Sequence, residues 1–121
     1  MAPASFNPAR GISESDWKRF KPLRQLALER FCERVLLDIG RIGADARKSR
    51  HERYLDTYRL IHEKDKELVR IFDSLRRSTA LIQLGLFRSH GLITEEELSG
   101  FSEELRARIE VFSIAPESEP K

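Results

Sequence analysis

The chain has 121 residues, 40% of them hydrophobic and 35% charged, with a formal net charge of +2, a profile of one soluble helical domain rather than a membrane or disordered chain. No apolar run reaches bilayer length and the N-terminus lacks a signal-peptide core; with Cys32 as its one cysteine the chain forms no intrachain disulfide, so a cytoplasmic address is expected. The charge is uneven: residues 1–50 carry +5, residues 51–91 +2 and residues 92–121 −5, which suits attraction between elements or subunits as well as to an outside partner.

Residues 1–12, with Pro3, Pro8 and Gly11 among small residues, show no periodicity and are expected to be a mobile leader. Ser13 or Ser15 opens a short helix through Phe20; Ser13 and Asp16 stand at capping-box spacing, and Trp17 and Phe20 put two aromatics on one side. Pro22 ends that turn or enters the first turn of the next helix. Leu28, Phe31, Cys32, Val35, Ile39 and Ile42 recur at steps of three and four, which predicts a second helix over residues 23–42. Gly40 and Gly43 weaken its end, and the short link that follows makes the next helix an antiparallel neighbour.

Residues 49–91 read as one long helix. Ser49 and Glu52 form a capping box at its start, and Gly91 followed by Leu92 supplies a left-handed stop. Tyr54, Tyr58, Ile61, Asp65, Leu68, Phe72, Leu75, Thr79, Ile82 and Leu86 alternate at steps of four and three, an apolar stripe that something must cover. Such a helix would be ~60 Å long, against a radius of gyration of ~14 Å for a compact chain of this size. It therefore kinks, belongs to an elongated molecule, or is covered by a second copy. Thr94 and Glu97 form another capping box, Gly100 marks a bend, and Ser102 caps a last helix to about Phe112. Leu98, Phe101, Leu105, Ile109 and Phe112 form its stripe, and residues 113–121 read as a mobile tail.

The fold expected is all-α: residues 13–112 form one domain, an elongated bundle whose long central helix has an antiparallel helix folded back on each half. Trp17, Phe20, Phe72 and Phe112 converge as an aromatic cluster at its middle.

Few residues carry chemistry. Asp65 interrupts the apolar stripe, where an unpaired carboxylate would cost several kcal/mol or take up a proton, so an ion pair with Arg24 at the same level is expected. His51, His62 and His90 are too far apart to share a metal within one chain, and neither Glu-x-x-His nor His-Glu-x-x-His occurs. Neither metal nor cofactor is expected, and Cys32 reads as a small buried hydrophobe. Arg41, Arg47, Lys48, Arg50 and Arg53 gather around the first helix turn and could hold a phosphate or a nucleic-acid backbone, although Asp45 and Glu52 dilute the charge.

The runs Ala27-Leu28-Glu29-Arg30-Phe31-Cys32-Glu33-Arg34, His51-Glu52-Arg53-Tyr54-Leu55 and Phe72-Asp73-Ser74-Leu75-Arg76-Arg77-Ser78 resemble those of small, uncharacterised all-helical bacterial proteins. That resemblance spans residues 13–112 and implies a soluble bacterial protein without assigned chemistry. Such chains can carry a release-factor label, but the Gly-Gly-Gln that hydrolysis at the ribosome requires is absent here. No nucleophile with a base and no paired acids can be built. The functional expectation is a non-enzymatic interaction protein acting as a homodimer; the alternative is an RNA- or DNA-associated accessory protein using the Arg47 to Arg53 corner.

Overall fold

A computed structural model of the chain describes residues 11–112. Five α-helices and one 3₁₀ turn follow in order: α1 (Glu14–Ala44), α2 (Arg50–Phe72), the 3₁₀ turn (Arg77–Thr79), α3 (Ala80–Ser89), α4 (Glu95–Leu98) and α5 (Glu103–Phe112). The all-α class is as expected. The described chain falls into two compact units, Leu28–Asp73 and the remainder, and α1 runs from one into the other.

Three expectations are corrected. First, the two N-terminal helices are one: α1 continues through Pro22. The proline removes the bond to the Lys18 carbonyl, at a cost of ~3 kcal/mol. Lys18 and Pro22 are both exposed, so water can serve that carbonyl, while Phe20 and Leu23 on either side are buried. Second, the long central helix is broken between Phe72 and Arg77. Asp73 and Ser74 favour local side-chain bonds over helix, and tertiary contacts fix the interruption. The Gln83 amide donates to the Ser74 carbonyl, the Arg76 Nε donates to the Ser74 hydroxyl at 3.2 Å, and the Arg77 Nε donates to the Ile12 carbonyl at 2.7 Å. Third, Ile12 is buried and Gly11 takes φ +84°, so the predicted leader is pinned at its end. A Cβ on Gly11 would collide with the Arg77 carbonyl, which restricts the position to glycine. The rest of the leader and the predicted tail lie outside the described residues.

The break also resets the helix phase. In α3 the buried side is Ala80, Gln83, Leu84 and Phe87, whereas Leu75 and Ile82 of the predicted stripe are exposed. Leu98, Phe101, Leu105 and Ile109 are buried as expected, and α3 packs against α5. The aromatic cluster is differently composed: Trp17 stacks on Phe20 at 5.7 Å and Phe20 on Phe87 at 6.0 Å. Phe72 belongs to the other unit, where it meets Phe31 edge-on at 6.1 Å. The Phe112 side chain lies outside the described part.

Helix ends follow the local chemistry closely. Both capping boxes, Ser49 with Glu52 and Thr94 with Glu97, are formed. Gly91 is left-handed at φ +67°, with Leu92 N–H donating to the Phe87 carbonyl and Gly91 N–H to the Arg88 carbonyl, the paired bonds of a Schellman stop. Ser13 accepts from the Asp16 N–H at 3.2 Å, but the Asp16 carboxylate does not return to Ser13. It accepts instead from the Ser102 N–H at 2.9 Å and the Ser102 hydroxyl at 2.6 Å. The Ser102 hydroxyl in turn accepts from the Leu105 N–H at 3.2 Å and starts α5. Arg88 ties α3 to α4 and α5, donating in two places to Glu95 and reaching Glu110 at 3.0 Å.

Candidate functional site: an uncovered helical face

The unit Leu28–Asp73 is a helical hairpin, the later part of α1 turning at Asp45 to Ser49 into α2. Its turn is closed by side chains. Arg53 donates to the Gly43 carbonyl at 2.7 Å, placing a cation on the free carbonyls at the end of α1. Asp45 accepts from the Arg47 N–H at 3.1 Å, an Asx turn, and from its guanidinium at 2.9 and 3.0 Å.

This turn holds the five cations of the basic corner, and four of them are engaged within the chain. Arg41 pairs with Asp38, Arg47 with Asp45 and Lys48 with Asp56 at 2.7 Å, while Arg53 serves carbonyls and Arg50 is exposed. The corner is basic in sequence but largely neutralised in place. The Arg47 guanidinium, helped by the Arg47 N–H, holds the Asp45 carboxyl down at about 2 against an ordinary 3.8. A depressed folded-state pKa means that its contribution to stability is in place above 3.8 and is lost as the pH falls toward 2. An NMR titration of the Asp45 carboxyl should show that low midpoint, and Arg47→Gln should return it toward 3.8.

The hairpin's more informative feature is its uncovered side. From Cys32 to Arg70 no residue is buried; Phe31, Ile71 and Phe72, at the end away from the turn, are. The α2 stripe that the sequence marks out is the exposed one: Tyr54 is 66% exposed, Tyr58 62% and Ile61 48%. Between the helices runs a groove of about 280 Å³, walled by Phe31, Cys32, Val35, Leu36 and Ile39 of α1 and by Ile61, Lys64, Asp65 and Leu68 of α2. Cys32 of α1 and Ile61 of α2 share this groove. Cys32 is half-exposed on its wall rather than a buried hydrophobe.

Asp65 is corrected. It is exposed on the groove wall, so the desolvation that called for a partner is absent from the single chain. Arg24 belongs to the other unit. Lys64 and Leu36 were not singled out from sequence. Leu36 was findable, since it lies four residues from Cys32 and three from Ile39 on the groove side of α1.

No group of three or more His, Cys, Asp or Glu side chains suited to a metal occurs among the described residues. No described helix is long and apolar enough to cross a membrane. Comparisons with family models, with curated proteins and with solved structures give no match, so the functional reading rests on the geometry of this chain.

Proposed function

We propose that the protein is a non-enzymatic interaction protein that works through the uncovered face of the hairpin, and that the face is covered by a second copy of the chain. The observation that carries this reading is the run from Cys32 to Arg70 without one buried residue, combined with Leu36, Tyr54, Tyr58 and Ile61 standing exposed. An amphipathic helical pair with one bare apolar side is half of a four-helix bundle. Fully burying an aliphatic side chain of this size is worth about 1.5–3 kcal/mol, so leaving several in water forgoes several kcal/mol. The hairpin is ~25 Å long and two helices, ~20 Å, wide, which gives on the order of 500 Å² of flat area. With side-chain relief this approaches the ~800 Å² per partner of a standard stable interface.

Cys32, the one cysteine of the chain, sits on the groove wall and reports on coverage. In concentrated protein its reaction with a polar thiol reagent should be slow, and dilution or Ile61→Asp should speed it several-fold. A rate independent of concentration and unmoved by Ile61→Asp would contradict the proposal.

A further inference from the structure

Resting on the homodimer reading, we infer that Lys64 and Asp65 form a reciprocal pair across the two-fold axis, with α2 of each copy antiparallel to α2 of the other, and that this pair sets the register.

The groove is apolar apart from these two neighbours, one cation and one anion. Covering the face desolvates them, and a charge taken from water without a partner is costly. Within the chain, Lys64 reaches Glu67 at 3.1 Å along its own helix. Asp65 has no ion pair among the described residues. The partner surface must therefore present a cation to Asp65. A two-fold interface brings the same patch from both sides, so its charges must be self-complementary. Adjacent residues of opposite sign meet that condition when the axis passes at their level: Lys64 of one copy falls on Asp65 of the other, and the reverse. The stripe on either side, Tyr58 and Ile61 before and Leu68 after, supplies apolar contact at heptad spacing. A polar pair in the middle of such a seam fixes register, because sliding by one turn would set each charge against an apolar side chain.

The test uses Lys64→Asp and Asp65→Lys in the full chain, each alone and then mixed one to one, with mass read by sedimentation equilibrium and folding by circular dichroism. Alone, each variant sets like charges across the axis, and self-association should weaken on the order of 10–100-fold. In the mixture every contact joins opposite charges, so the dimer should return. The combined exchange Lys64→Asp with Asp65→Lys should pair with itself but not with the wild-type chain, which guards against a single variant that misfolds. Wild-type dimers with both single variants equally dimeric alone, or a mixture of folded variants that stays monomeric, would overturn the pairing and leave the interaction face standing. A monomeric wild-type chain in the same series would overturn the homodimer reading itself.

Discussion

Phe87→Ala should lower the unfolding free energy by about 3–5 kcal/mol, the cost of deleting a large, fully enclosed aromatic. Phe87 is 0% exposed and stacks on Phe20, which in turn stacks on Trp17. Its position adds a second role, because its carbonyl accepts the Leu92 N–H that ends α3 and its ring occupies the place from which a Schellman stop makes its apolar contact. Truncation thus leaves a cavity between α1 and α3 and slackens the turn into α4. Phe87→Leu keeps most of the volume and should cost about half as much. Urea unfolding followed by circular dichroism separates these outcomes. A Phe87→Ala midpoint within error of wild type would mean that the aromatic stack does not hold this unit together.

Asp16→Ala ranks next, at about 3 kcal/mol or roughly 10 °C in melting temperature. Asp16 is 4% exposed and its carboxylate takes two hydrogen bonds from Ser102. The anion lies near the N-termini of both α1 and α5, where helix dipoles favour it. Alanine would remove both bonds together with the anion that joins the starts of α1 and α5. Asp16→Asn keeps one acceptor without the charge and should fall between. Ser102→Ala removes only the hydroxyl contact and the cap to Leu105, so its effect should be smaller, about 1 kcal/mol. Equal melting temperatures for Asp16→Ala and wild type would show that this bridge contributes nothing to the fold.

Where structure is decided by neighbours in sequence, the chain was readable. The Ser49 and Thr94 boxes and the left-handed Gly91 need only residues a few positions away, and all three stand where their spacing predicts. The break after Phe72 was not readable, since it depends on Gly11 and Ile12 meeting residues 77 and 78 from a distant part of the chain, and on Gln83 turning back onto Ser74. Helix propensity alone would have run through it. Asp16 shows both sides of this. Its spacing from Ser13 marks a helix start, yet the carboxylate is spent on Ser102, 86 residues away.

The uncovered face was half legible. Periodicity located the Tyr54, Tyr58, Ile61, Asp65 stripe but says only that a stripe exists, not which element covers it. Folding α1 back was expected to bury it; α1 instead leaves it exposed, with the groove alongside. Asp65 changes meaning accordingly, from an expected buried partner of Arg24 to an exposed charge on the groove wall. The basic corner misled in a different way. Asp45 and Glu52 dilute the charge in sequence, but Arg41 is also answered by Asp38 three residues before it, and Lys48 by Asp56, eight residues on, once the turn has formed.

The most direct test of the uncovered face is the mass of the wild-type chain in solution, by light scattering across tens of micromolar. Twice the 14.1 kDa chain mass, falling toward a single chain on dilution or with Ile61→Asp, is the expected result. A strictly monomeric mass throughout that range would contradict a face completed by a second copy.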